Sequence, residues 1–126
     1  MAFTPGKTYS RKEIIASIGG STVSYLPKKD GKIICGCFDT RKKYNPEAPD
    51  TVTIGRLDRP EPEMVAAQKE PIPVFLRSSP GEWKYVSRWE CTGLDTGKET
   101  LRKENAKNPS RLHGVKGVLH FKRVSD

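Results

Sequence analysis

Residues 71–93 read PIPVFLRSSPGEWKYVSRWECTG, and this stretch decides the fold. Val74 to Arg77 is a short β-forming run, Ser78-Ser79-Pro80-Gly81-Glu82 is a turn signal, and Trp83 to Thr92 is a second run. Together they predict a β-hairpin. In the second arm Trp83, Tyr85, Trp89 and Cys91 alternate onto one face, while Lys84, Val86, Arg88 and Glu90 take the other.

Towards the C-terminus, residues 115–124 (VKGVLHFKRV) read as a last strand. Val118, His120 and Lys122 share one face of it, and Leu119, Phe121 and Arg123 the other. The polar stretch before it holds a short helix from Glu99 to Lys107. Towards the N-terminus, residues 63–70 (EMVAAQKE) form a short helix with Pro62 at its first turn. Residues 51–55 (TVTIG) are a strand. Residues 32–38 (KIICGCF) are a buried strand with faces Ile33/Cys35/Cys37 and Ile34/Gly36/Phe38, in which Gly36 leaves room for another backbone or a ligand. Residues 28–32 (KKDGK) are a turn centred on Asp-Gly, preceded by a short extended piece, STVSYLP. Residues 6–20 (GKTYSRKEIIASIGG) open a helix with Ser10 as N-cap, Glu13 closing a capping box and Gly19-Gly20 as the stop. Several strands with two or three short helices predict one α+β domain over residues 1–126, its sheet strongly bent or closed into a small barrel.

The 126 residues carry a net charge of +8 with only 34% hydrophobic residues. That balance favours polyanionic partners through phosphate neutralisation and counterion release. An odd count of three cysteines, a polar start and the lack of any long apolar run predict a cytoplasmic protein with reduced thiols and no membrane partner.

Residues 35–46, CGCFDTRKKYNP, invite a metal or redox reading. Zinc takes four ligands, usually with cysteines two to four residues apart on a turn. Cys35-Gly36-Cys37 on a strand is a poor chelate that only Cys91, His113 and His120 are there to complete. A thiol nucleophile needs a base, again His113 or His120, and no nucleophile elbow is present. The carboxylates Asp39, Asp50, Asp58, Glu61 and Glu63 are scattered through loops, and Gly19-Gly20 lacks the Lys-Ser/Thr of a P-loop. The expectation is no metal, no cofactor and no catalysis. What remains is cations interleaved with aromatics, as nucleic-acid binding requires. The phosphate-binding candidates are Lys28, Lys29, Arg41, Lys42, Lys43, Arg88, Arg102, Lys103, Arg111 and Lys116. The base-pocket candidates are Tyr25, Phe38, Asp39, Tyr44, Asn45, Trp83 and Trp89. Asp39 or Asn45 would bond a base edge, and Tyr44 or Tyr25 would stack on it.

GKTYSRKEIIASIGG resembles the opening of SRA-like domains attached to modification-dependent HNH endonucleases, within the wider PUA-like superfamily. The hairpin of residues 71–93 is similar to the late hairpin of that group, and KIICGCFDTRKKYNPEAP resembles the middle of small proteins sharing those flanks. The chain departs at Ser87, where the group tends to carry glycine. The resemblance implies a bent, barrel-like sheet and a non-catalytic reader that flips a modified base, in DNA rather than RNA, into a pocket. Lacking a nuclease domain, such a reader would act alone or beside a separate effector in restriction or defence. The rival expectations are an RNA-binding PUA-like module, a protein-interaction or inhibitor module docking on an acidic partner, and a metal- or thiol-dependent hydrolase.

Overall fold

In the computed structural model, which describes residues 3–21, 24–112 and 114–125 (Ser78 and Ser125 through their backbones alone), eleven elements follow one another. They are β1 (Thr8–Tyr9), α1 (Arg11–Ile18), β2 (Lys28–Lys29), β3 (Lys32–Ile33), β4 (Gly36–Asp39), β5 (Thr51–Ile54), α2 (Glu61–Gln68), β6 (Ile72–Ser79), β7 (Glu82–Asp95), α3 (Lys98–Lys107) and β8 (Gly117–Ser125). The fold is α+β, with three helices on a strongly curled half-barrel sheet. No helix among the described residues is long and apolar enough to cross a membrane.

The hairpin forms and is longer than its signals. Pro80-Gly81 makes its turn, with Gly81 at φ +75° taking the left-handed position. The 14-residue β7 is the spine. Its first half pairs antiparallel with β6 and with β1, and its second half with β8. β4 adds parallel to β6 and β5 antiparallel to β8, giving the order β4-β6-β7-β8-β5. β8 lies between β7 and β5, so the last strand, with Lys122 and Arg123, is built into the sheet.

Two apolar clusters cover the two faces. Phe75, Trp83, Tyr85, Cys35 and Cys37 pack with Ile14 of α1. Val74, Phe38, Val52, Leu119, Phe121 and Cys91 pack with Val65 of α2. Consecutive residues of β6 (Val74, Phe75) and of β4 (Cys37, Phe38) fall in opposite clusters, the period of two that a sheet imposes. α1 starts as read: Ser10 accepts from the Glu13 N–H, the Glu13 carboxylate accepts from the Ser10 N–H, and Gly19 ends the helix at φ +87°. α3 begins at Lys98 and ends at Lys107, within one residue of its expected bounds.

Two expectations are corrected. First, Trp83, Tyr85, Trp89 and Cys91 do not share a face. Trp83 and Tyr85 lie in the α1-side cluster, whereas Val86, Trp89 and Cys91 pack in the α2-side one. Against β6 the register shifts between Tyr85 and Arg88, where three steps of β7 face two of β6, and Ser87 sits at φ +92°. A bulge adds one residue and reverses the alternation beyond it. Second, KIICGCF is not one strand. β3 closes a small hairpin on β2 through Asp30 (φ +53°) and Gly31 (φ +78°), a primed Asp-Gly turn. The chain then breaks at Ile34 and Cys35 before joining the main sheet as β4. The break is held by Ile34 N–H donating to the Pro27 carbonyl at 2.9 Å and Cys37 N–H to the Tyr25 carbonyl at 2.8 Å. Accordingly Ile33 lies in one cluster and Cys35 and Cys37 in the other. The room left by Gly36 is filled by the Phe38 ring, which a Cβ there would meet at 2.7 Å. Of the STVSYLP piece, Thr22 and Val23 lie outside the described residues.

Candidate functional site

The ends of β4, β5 and β6, the first residue of α1 and the loop after β4 surround a cavity of about 730 Å³. That volume is in the range of about 300–1,000 Å³ common for small-molecule sites. Its lining is aromatic and cationic. Tyr25, Phe38, Tyr44 and Trp83 supply rings, and Arg11, Arg56, Arg59 and Arg77 supply charge.

The loop after β4 is braced from within. Asp39 accepts from the Arg41 backbone N–H at 3.0 Å, from Arg41 Nε at 3.0 Å and from Arg41 Nη2 at 2.7 Å, and Arg77 Nη1 stands 3.8 Å away. Burial would raise the Asp39 carboxyl, but the bonds from Arg41 and the charges of Arg41 and Arg77 outweigh it and hold the carboxyl below the usual carboxylate range. The Arg41 guanidinium in turn lies 5.2 Å from the Tyr44 ring centroid, with Lys43 Nζ at 5.6 Å. The Asn45 N–H donates to the Asp39 carbonyl at 2.9 Å. Asn45 Oδ1 accepts from both the N–H and the hydroxyl of Thr53 on β5, each at 2.7 Å. Because a backbone N–H can only donate, these bonds identify Oδ1 and leave the Asn45 NH₂ for something else.

On the opposite wall, Arg11 donates to the carbonyls of Ser21 and Ser24, and its guanidinium lies 5.2 Å from the Trp83 ring. Arg77 lies 5.7 Å from the same ring and donates to the Ser79 carbonyl. Tyr25 is the exposed aromatic, 37% accessible. Burial of its hydroxyl and the charge of Glu61 push that phenol up to about 12, so it stays protonated.

Six of the seven base-pocket candidates therefore line one cavity: Tyr25, Phe38, Asp39, Tyr44, Asn45 and Trp83. Their roles differ from expectation. Phe38 is 1% exposed and forms the floor, while Trp83 is 8% exposed and carries two guanidiniums. Neither has a ring free for stacking. Asp39 is engaged with arginines rather than open to a base edge. Trp89 lies elsewhere, packed on the α2-side core with Nε1–H donating to the Val86 carbonyl at 2.9 Å, because the bulge at Ser87 turned it away.

None of the ten phosphate candidates lines the cavity. Arg41 reaches it through Asp39 and the Tyr44 ring, and Lys43 through that ring. Lys28 pairs with Glu61 at 2.9 Å and Arg102 with Glu99 at 2.7 Å. Lys29, Lys42, Lys103 and Lys116 stand exposed. Arg111 is half-buried, donating to the carbonyls of Glu104 and Tyr44, and Arg88 borders a second cavity of about 560 Å³. The cavity's cations are four of the nine arginines and none of the lysines. Sequence density pointed to lysine runs. The usable signal was residue type: a guanidinium is planar, weakly hydrated and stacks on rings, so it suits a walled cavity where an ammonium does not.

Cys35 and Cys37 are buried with their sulfurs 3.8 Å apart. The hydrogen bond between them and burial hold the Cys35 proton in place, and burial likewise raises the Cys91 thiol. Among the described residues no three of His, Cys, Asp or Glu converge as metal ligands. His120 is exposed on β8, and His113 lies outside the described residues.

No protein-family description, curated protein or solved structure matches the chain.

Proposed function

We propose that this protein is a non-catalytic nucleic-acid-binding module that seats one extruded base, a modified base of DNA, in the cavity beside β4 and β5. The observation that carries the reading is the pairing, in one cavity, of an exposed tyrosine and a fixed side-chain amide with four arginines. Extrusion costs a few kcal/mol. Stacking on an aromatic returns about 1–3 kcal/mol per base, and Tyr25 and the guanidinium planes of Arg11 and Arg77 are surfaces on which a base can stack. Arg56 and Arg59, which line the cavity from the loop after β5, would take the flanking phosphates. The three stretches similar to SRA-like domains support the same reading, and a stand-alone reader of this kind would mark its site for a separate effector.

Fluorescence anisotropy tests it. The probes are matched duplexes carrying cytosine, 5-methylcytosine, 5-hydroxymethylcytosine, 5-hydroxymethyluracil or N6-methyladenine, with single-stranded DNA and RNA as competitors. One modified probe is expected to bind at least tenfold tighter than its unmodified counterpart, about 1.4 kcal/mol, and Tyr25→Ala to remove that margin. Equal affinity for all probes would make the protein a general polyanion binder. Stronger competition by RNA would make it an RNA module, and no binding even at low salt would leave the basic surface to a protein partner.

A further inference from the structure

We propose, resting on the flipped-base reading above, that the cavity takes a base through its keto edge and turns away the amino counterpart. The ligand class is a base presenting acceptors, of the uracil or guanine type, rather than the exocyclic NH₂ of cytosine or adenine.

The carboxylate and side-chain amide oxygens in the lining are already engaged. Asp39 is its one carboxylate among the described residues, and Oδ1 and Oδ2 both accept from Arg41, with Arg77 alongside. Asn45 Oδ1 is held by two bonds from Thr53. The fixed groups left over are donors. The Asn45 NH₂ has no acceptor among the described residues, and arginine has donors only. The hydroxyls of Tyr25 and Tyr44 donate and accept equally, so they leave the choice to the fixed groups. A carbonyl entering this cavity finds the Asn45 NH₂ and guanidinium N–H groups. An amino group finds donor facing donor at these fixed groups and has only hydroxyl oxygens to turn to, so it binds less well.

Asn45 is the residue to alter, because Asn45→Asp keeps an oxygen for Thr53 and replaces the donor with an acceptor, while its added negative charge weakens both probes alike and leaves their order to the base edge. The probes are duplexes with 5-hydroxymethyluracil or 5-hydroxymethylcytosine opposite an abasic site, so the two bases differ on the pairing edge alone and extrusion breaks no pair. A duplex abasic on both strands is the reference. The wild-type protein is expected to bind the uracil probe at least about tenfold tighter, and Asn45→Asp to reverse the order. Equal or reversed wild-type affinities, with both probes tighter than the reference, would overturn the keto-edge inference and leave the base reader standing. Wild-type affinities no better than the reference would instead bring down the flipped-base reading itself. An unchanged preference in a folded Asn45→Asp variant would also overturn the inference. The wild-type comparison decides even if that variant does not fold.

Discussion

Ser87 occupies a backbone conformation that favours glycine, with φ at +92°. The side chain is buried and its hydroxyl accepts from Arg123 Nη2 at 3.0 Å. Two substitutions separate the backbone strain from that bond. Ser87→Ala and Ser87→Gly both lose the hydroxyl, but only glycine loses the Cβ that opposes positive φ. Ser87→Gly is expected to be more stable than Ser87→Ala by about 1 kcal/mol, read from urea midpoints at constant slope. Equal stabilities would mean that residue 87 relaxes without cost. The bulge here is the local cause of the main misreading of β7, since it sends Trp89 to the α2-side core and leaves Trp83 beside the cavity.

At the scale of elements, α1 links a sequence-legible signal to the cavity. Ser10 and Glu13 cap it reciprocally, and Arg11, its first residue, bridges two loop carbonyls while stacking on Trp83. Ser10→Ala removes one side of the capping box and is expected to lower stability by about 1 kcal/mol, measured by denaturant unfolding. A change of under a few tenths would show that packing of Ile14 alone holds the helix start. α2 is different. Its last turn places the Gln68 side chain to accept from the Ile33 N–H at 2.9 Å and donate to the Ile33 carbonyl at 2.8 Å, so a helix side chain completes the free edge of β3. No local pattern announces that bond, which joins residues 35 positions apart.

For the whole molecule, the charge of +8 is spread over many loops, but the cavity collects only arginines. Arg56 is tied to Asp58 at 2.6 Å, whereas Arg59 makes no direct ion pair among the described residues. Each phosphate neutralised steepens the dependence of log affinity on log salt by about 0.9. Arg59→Ala is therefore expected to flatten that slope by about one, and Arg102→Ala on α3, outside the cavity and paired with Glu99, to leave it unchanged. Equal flattening by both would place the contacts across the whole basic surface rather than at the cavity rim.

The sequence by itself determined the class and most of the elements, but not β1 or the break between β3 and β4. The capping box, the Asp-Gly and Pro-Gly turns and the alternation of β6 act over a few residues, so their physics is complete within the stretch that carries them. The loop of residues 39–46 was legible as part of a site for the same reason: its cations, carboxylate, amide and ring are neighbours along the chain. Only the tertiary structure decided which groups were already engaged and which cations joined the cavity. Arg11, Arg59 and Arg77 meet there because the parallel pairing of β4 with β6 and the curl of the sheet bring three distant segments to one end. Asp39 gained the charge of Arg77, and Trp83 gave its ring to two guanidiniums, through contacts that depend on distance in space and leave no trace in spacing along the chain.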